Sequence, residues 1–189
     1  MKAKDLIFDG DVAYVPLTRG YYAIIDAEDA PLVEGVSWRA KPGNTGIIYA
    51  ARDCRDGSGN WTVVRMHRVI LGAKDKTLVD HLDHDGLNNR RNNIRLCSHS
   101  ENNQNARKRI KGSSKYKGIY WKERDKKWYA RIMLNGKRIF LGSYDTEDEA
   151  HKAYCKASRD LHKEFGCTAS DIQINQHRTG GRHEITTTE

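Results

Sequence analysis

The stretch VDHLDHDGLNNRRNNIRLCSHSENNQNARKR, from Val79 to Arg109, decides the fold of the first half of this chain. It contains three histidines, seven asparagines and several arginines. Asparagine is a poor core residue and a poor strand former, so this concentration beside Asp80 and His81 indicates chemistry rather than packing. "KTLVDHL" predicts a strand, the Asn-rich segment a polar loop, and "NIRLCS" a second strand. Ser98 with Glu101 has the form of a capping box, which predicts the start of a helix.

The chain upstream of this stretch, residues 6–66, is rich in strand signals. "VAYVPL" and "YYAIID" predict strands, and "IIYAAR" with "WTVVRM" flanks the turn "RDGSGN" as a hairpin would. We expect Trp38, Tyr49 and Trp61 to cover a small core. "RMHRVILGA" then predicts a short helix or buried segment that ends near Gly72.

The chain downstream resumes after a Gly/Ser/Lys linker at 108–114. Alternating apolar and polar residues predict three antiparallel strands at about 116–122, 127–134 and 137–142, and Asn135-Gly136 is a strong hairpin turn signal. A second capping box, Thr146 to Glu149, opens a helix. The residues expected to pack that helix onto the sheet are Ala150, Ala153, Tyr154, Ala157 and Leu161.

The positive charge of the chain is concentrated in one segment. The 189 residues carry a net charge of +8, and residues 106–144 hold thirteen Lys or Arg against two acidic residues. Such a block is typical of a surface that binds a polyanion, and the alternative is a solvated surface that serves solubility.

The rest of the composition excludes several classes of protein. The four cysteines form no C-x-x-C pair, so we expect reduced thiols and no structural zinc. The N-terminus lacks the apolar region of a secretory signal, and no apolar run is long enough to span a membrane. We therefore expect no membrane partner and a cytoplasmic location, that of the host cell if the protein is phage-encoded.

Asp80, His81 and the asparagines have the chemistry that phosphodiester hydrolysis requires. A hard divalent cation such as Mg²⁺ or Mn²⁺ takes oxygen ligands, which a carboxylate and an amide can supply. Hydrolysis also needs a base for the attacking water and a Lewis acid for the developing charge. The stretch offers an imidazole for the first task and oxygen ligands for the second.

The segment "MHRVILGA…VDHLDHDGLNNRRNNIRL…ENNQN" resembles the HNH motif of the ββα-metal nucleases, in the version of phage and intron homing endonucleases. The resemblance implies that Asp80 and Asn102 bind one divalent metal, that His81 is the general base, and that Asn93 braces the loop. Asn103 and Asn105 remain alternatives to Asn102. Further side chains that could join the metal shell are His67, His84 and His99. Since neighbouring strand residues point to opposite faces, the strand must end or twist at Asp80-His81.

The segment "YKGIYWKERDKKWYARIMLNGKRIFLGSYDTEDEAHKAY" resembles the AP2 DNA-binding domain over about residues 113–170. The resemblance implies a three-stranded sheet that lies in the DNA major groove and is backed by one helix. Strand alternation gives the sheet a basic and aromatic outer face, for which the alternative is an ordinary solvent-facing surface. The predicted DNA-binding residues are Lys117, Tyr120, Lys122, Arg124, Arg131 and Arg138.

The sequence thus predicts an α+β chain with two functional parts. Residues 1–107 form an HNH nuclease domain, with a β-rich lead-in at 6–66 and the ββα-metal core at 67–107. An AP2-like DNA-binding domain at 115–170 and a polar tail at 171–189 follow. The predicted function is a metal-dependent endonuclease that acts on double-stranded DNA without a small-molecule cofactor. The alternatives are a DNA-binding regulator with an inactive HNH remnant and an RNA-binding or structural phage protein; oligomeric state and nicking versus double-strand cleavage stay open.

Overall fold

The computed structural model describes residues 3–43, 46–74, 76–106 and 112–166. The chain divides into two compact units, of which the first reaches Leu96 and the second starts at Cys97. Most of the predicted linker, the last residues of the predicted AP2-like segment and the whole polar tail lie outside the described residues. Within the described ranges, no helix is long and apolar enough to cross a membrane.

The first unit is built from two three-stranded antiparallel sheets and one two-stranded sheet. The first sheet contains β1 (Ile7–Asp9), β2 (Val12–Pro16) and β3 (Tyr22–Asp26), in that order. The second contains β4 (Arg39–Pro42), β5 (Ile48–Arg55) and β6 (Trp61–Arg65). The third pairs β7 (Leu78–His81) with β8 (Ile94–Cys97). Two short helices, α1 (Ala30–Val33) and α2 (Met66–Ile70), complete the unit.

Strand alternation gives this unit a single hydrophobic core. On β2 and β3 every second residue is buried, so that Ala13 and Val15 face inward with Ala23 and Ile25. Trp38 also belongs to the core, and its indole Nε1 donates to the carbonyl of Val33. Other members of the core are Leu17, Ala30, Ala40, Ala50, Met66, Ile70 and Ile94.

The prediction that Trp61 covers this core is wrong. Its side chain is 70% exposed, because the register of β6 turns it to the face of the sheet opposite to Ala40 and Ala50. The hairpin itself is confirmed, since β5 and β6 pair in antiparallel register with Arg55 opposite Trp61.

The second unit is an antiparallel sheet with two helices. In chain order its elements are α3 (His99–Asn105), β9 (Ile119–Lys122), β10 (Lys127–Leu134), β11 (Lys137–Tyr144) and α4 (Glu147–His162). The sheet order is β11-β10-β9, and both helices begin with the predicted capping boxes. Asn135 and Gly136 have φ angles of 48° and 77°, as the predicted tight turn requires.

Helix α4 packs against the inner face of this sheet. Ala150 and Tyr154 join Ile119, Ala130 and Ile132 in the core. Leu161 is 37% exposed, so its predicted inward position is wrong. The buried residues recur every fourth position, and the stripe therefore continues through Ser158 and His162.

Close approach at Gly118 holds the start of β9 against this core. A Cβ at that position would lie 2.4 Å from the carbonyl oxygen of Arg131 and 2.4 Å from the ring of Tyr154. Its φ of 75° also favours glycine. The backbone before β9 is therefore fixed tightly to the sheet and to α4.

The helices and antiparallel sheets of the two units confirm the predicted α+β class.

Candidate active site and nucleic-acid interface

The first candidate site lies where β7 ends. The strand stops at His81, as the predicted geometry required, and both Asp80 and His81 are buried although both are polar. The carboxylate Oδ2 of Asp80 forms an ion pair with Nη2 of Arg95 on β8, at 3.0 Å. Buried charges must be paired, so Arg95 offsets much of the cost of burying this carboxylate.

His81 is surrounded by two aromatic rings and one amide. Its ring centroid lies 4.9 Å from that of His67 in an edge-to-face arrangement and 5.9 Å from that of Tyr49. Its Nε2 lies 3.4 Å from Oδ1 of Asn89. Burial lowers the pKa of His81, and the contact with Asn89 and nearby carboxylates opposes that shift. The imidazole is therefore neutral at neutral pH.

His67, on α2, is a second buried imidazole of the site. Burial, and then the neighbouring His81, Arg65 and Arg68, lower the pKa of His67 to about 2. Its Nδ1 has no hydrogen-bond partner among the described residues. The structure thus places a neutral, buried imidazole in edge-to-face contact with the ring of His81.

The loop between β7 and β8 is organised around Asn93. Its Oδ1 accepts from the backbone N–H of Asp83, and its Nδ2 donates to Asp83 Oδ1 and to the carbonyl of Asn88. Asn88 in turn donates from Nδ2 to the second oxygen of Asp83. These bonds join both ends of the loop, which is the geometry that a bracing residue requires.

Tyr49 connects this loop to the second sheet. A Cβ on Gly86 would lie 2.4 Å from the carbonyl oxygen of Ile48 and 2.6 Å from the ring of Tyr49, so only glycine fits there without a shift. The loop therefore lies directly on the Tyr49 edge of the sheet. Tyr49 was predicted to cover the core and not to belong to the site, since its aromatic character alone could not have shown this contact.

A long-range ion pair fixes the same loop to the first sheet. Arg91 donates from its side chain to the buried carboxylate of Asp29 at 2.6 Å, and its backbone N–H donates to Asp26. The backbone of Asn89 donates to the carbonyl of Ile24. Sequence reasoning missed Asp29 and Arg91, because their 62-residue separation carries no local signal.

The remaining predicted ligands lie on the β7–β8 loop and on α3. Asn102 is half-buried on α3 in the second unit, where Asn103 is exposed and Asn105 is buried. The approach of Asn102 to Asp80 stays a prediction. His84 is half-buried in the loop, and His99 is exposed at the start of α3.

The outer face of the sheet in the second unit is aromatic and basic. Tyr129 lies between Tyr120 and Phe140, with ring centroids 5.7 Å and 5.4 Å away, so one aromatic row crosses all three strands. Arg131 lies over the ring of Tyr120, and Lys122 lies over that of Tyr129, each at 4.8 Å. Exposed aromatic rings with stacked cations can contact both bases and phosphates.

Charges at the edges of this face are partly paired. Arg138 is exposed on β11, and Arg124 is exposed in the β9–β10 turn. Arg124, Lys122 and Tyr129 all hydrogen-bond to Asp125 and hold the pKa of its carboxyl well below the usual value. Asp125 therefore holds Lys122 and Arg124 beside one another in the turn.

Lys117 has a structural contact instead of the predicted place on this face. Its Nζ donates to the carbonyl oxygens of Asn103, Gln104 and Ala106 at 3.1, 2.6 and 2.6 Å. These carbonyls belong to the C-terminal end of α3, where a cation is favoured by the helix dipole. The alternation argument failed here because Lys117 precedes β9 and is not part of the pleat.

The comparisons with known proteins agree with both halves of the sequence analysis. The AP2 domain family matches residues 114–164. A protein of Acanthamoeba polyphaga mimivirus, named as an uncharacterized HNH endonuclease, is 26% identical over 167 residues, which cover 84% of this chain and 81% of that protein. Both matches support an HNH-plus-AP2 architecture.

A second relative of this chain is Protein 3.8 of Escherichia phage T7. It is 29% identical over 87 residues, which cover 46% of this chain and 71% of that protein. No solved structure matches the chain. The predicted resemblance to HNH and AP2 proteins is confirmed, while the individual site residues rest on the geometry described above.

Proposed function

We propose that the protein is a metal-dependent DNA endonuclease of the HNH type, positioned on duplex DNA by its AP2 sheet. The observation that carries the proposal is the pair Asp80 and His81, buried together at the end of β7 beside a loop braced by Asn93. Burial of a carboxylate and an imidazole is costly, and a catalytic role accounts for both. The relative named as an HNH endonuclease supports the same conclusion.

His81 acts as the general base. An amide oxygen can only accept, so the contact with Oδ1 of Asn89 places the ring hydrogen on Nε2 and the lone pair on Nδ1. Because burial lowers the pKa of His81, the imidazole is the neutral, basic form at neutral pH. Nδ1 then takes the proton of the water that attacks the scissile phosphorus.

Asp80 and Asn102 would hold the divalent cation, Mg²⁺ or Mn²⁺. A carboxylate and an amide oxygen are hard donors, and the ion pair with Arg95 indicates that the buried Asp80 carboxylate accepts a positive charge beside it. The residues therefore fit a hard metal ion. When bound, the ion supplies Lewis-acid stabilisation of the charge that develops on the leaving oxygen.

The outer face of the AP2 sheet supplies the binding energy for duplex DNA. Lysines contact phosphates, while Arg131 and Arg138 are long enough to reach base edges in the major groove. With a single HNH centre per chain, one molecule nicks one strand unless two molecules act together. The biological setting that we propose is a phage or intron-borne mobile element in the host cytoplasm.

Incubation of the full chain with supercoiled plasmid tests this function. We expect nicking with Mg²⁺ or Mn²⁺ and none with EDTA. The variant His81→Ala should cut about 10²–10⁴-fold more slowly, which is the usual contribution of a general base. His151→Gln, a histidine on α4 far along the chain from the loop, is the matched control and should cut normally. Undiminished cutting by His81→Ala would remove His81 from the mechanism, and an intact plasmid under all conditions would favour a regulator with an inactive HNH remnant.

A further inference from the structure

The β4–β5–β6 sheet of the first unit carries its own basic and aromatic face. Lys41 lies opposite Tyr49, Arg65 opposite Ala51, and Arg55 opposite Trp61, and residues paired in this way share one side of a sheet. The other side holds Ala40 and Ala50 in the core. We name this side the hairpin face; it consists of Arg39, Lys41, Tyr49, Ala51, Asp53, Arg55, Trp61, Val63 and Arg65, of which Ala51 is fully buried and Tyr49 is half-buried.

The hairpin face exposes an aromatic ring that a folded protein would normally cover. Trp61 is 70% exposed, and Val63 beside it is exposed as well. The guanidinium of Arg55 lies 4.8 Å from the Trp61 ring and donates to the carbonyl of Gly59. The ring and the cation are therefore fixed in one orientation before any partner binds. An exposed apolar group rimmed by charge is typical of an interaction surface.

The charge of the hairpin face is complementary to a polyanion. Its one acidic residue, Asp53, is neutralised by Arg39 through a 2.6 Å ion pair. Within the described residues, Lys41, Arg55 and Arg65 form no ion pair. Three cations thus remain for an external partner.

The Tyr49 end of the hairpin face lies next to His81. Arg65 lies over the ring of Tyr49 with its guanidinium carbon 4.7 Å from the centroid. The same ring lies 5.9 Å from His67 and 5.9 Å from His81. One aromatic ring therefore separates a cation of this face from the proposed general base.

We propose that the hairpin face binds the phosphate backbone of the substrate DNA and guides the strand to be cut toward His81. Arg55 lies opposite Trp61, and Arg65 follows Trp61 by four positions, which is about 13 Å along the strand. That span corresponds to about four phosphates of one DNA strand along the helix axis. Arg55 and Arg65 hold phosphates at its two ends, and Trp61 packs against the sugars or bases between them. This proposal rests on the nuclease function and adds a second DNA contact to that of the AP2 sheet.

Salt titration of duplex binding by the full chain in EDTA tests the proposal without cutting the DNA. Each phosphate contact contributes about 0.9 to the slope of log K against log salt. The double variant Arg55→Ala/Arg65→Ala should therefore lower the magnitude of the slope by about 2, on any duplex sequence. Arg55→Lys/Arg65→Lys keeps the charges and should restore the slope. Lys4→Ala/Arg19→Ala, two exposed basic residues of the same unit outside this face, is the matched control and should leave the slope unchanged.

Cleavage with Mg²⁺ separates this proposal from the one on which it rests. We expect kcat/KM to fall in Arg55→Ala/Arg65→Ala and in Trp61→Ala, while the control pair cuts as the wild type does. A slope and a cutting rate equal to those of the control would overturn the hairpin face and leave the nuclease intact. If the wild type never cuts, but the double variant still binds duplex DNA with a smaller slope of log K against log salt, the nuclease proposal fails and the DNA contact stands.

Discussion

Replacing the buried His67 by phenylalanine should make the first unit less sensitive to acid. The pKa of His67 is about 2 in the folded protein because of its burial, against an ordinary value of 6.5. Between these values the unfolded chain binds a proton that the folded chain does not, so stability falls as the pH decreases below 6.5. Between pH 7 and pH 5 this difference removes about 2 kcal/mol from the free energy of unfolding.

The assay is urea unfolding of wild type and His67→Phe at pH 7 and pH 5, followed by the fluorescence of the buried Trp38. The variant keeps a ring against Tyr49 and His81. The difference in free energy of unfolding between the variant and the wild type should change by about 2 kcal/mol in favour of the variant at the lower pH. Ile70→Val, on the same helix, is the control. It should lower the free energy of unfolding by the same amount at both pH values, since it removes no ionisable group. An equal difference between wild type and His67→Phe at both pH values would show that His67 protonates normally in the folded state and would refute the desolvation argument.

Three further changes test other parts of the molecule. Asn93→Ala removes three loop hydrogen bonds and should cost about 2 kcal/mol or more in urea unfolding, with slower plasmid nicking and unchanged duplex affinity. Lys117→Met should lower the thermal stability of the second unit by about 1–2 kcal/mol, while the exposed Lys137→Met does not; equal melting temperatures would remove the helix-capping role. Arg131→Ala and Arg138→Ala should each weaken duplex binding by about 1–3 kcal/mol in a titration, yet permit cutting at high enzyme concentration. Loss of all cutting with normal binding would contradict that division of tasks.

Local signals in the sequence predicted the elements of this fold well. Ser98 with Glu101 and Thr146 with Glu149 form the reciprocal hydrogen bonds of two capping boxes, and both bonds involve residues three positions apart. The Asn135-Gly136 turn is equally local. Each of these features depends on a few neighbouring residues, so the sequence contains all the information that they require.

Features that depend on distant residues could not be predicted in the same way. The exposure of Trp61 follows from the register of β6 on β5, and the hydrogen bond of His162 joins it at 2.7 Å to the carbonyl of Met133, 29 positions away. The candidate site shows the same division. Asp80, His81 and Asn93 are predicted through the resemblance to the HNH motif, whereas Arg95 and Tyr49 enter only when the sheets are assembled.

The pairing of strands has a consequence for how the molecule folds. In the described part of the chain, every sheet joins strands that follow one another in sequence, so each can form by short-range hairpin closure. The loop that holds His81 instead depends on Arg91 reaching Asp26 and Asp29 across 65 and 62 residues. Such a closure loses more chain entropy and is expected late. A newly synthesised molecule would therefore acquire its hairpins first and the surroundings of His81 last, when Arg91 finally meets Asp26 and Asp29.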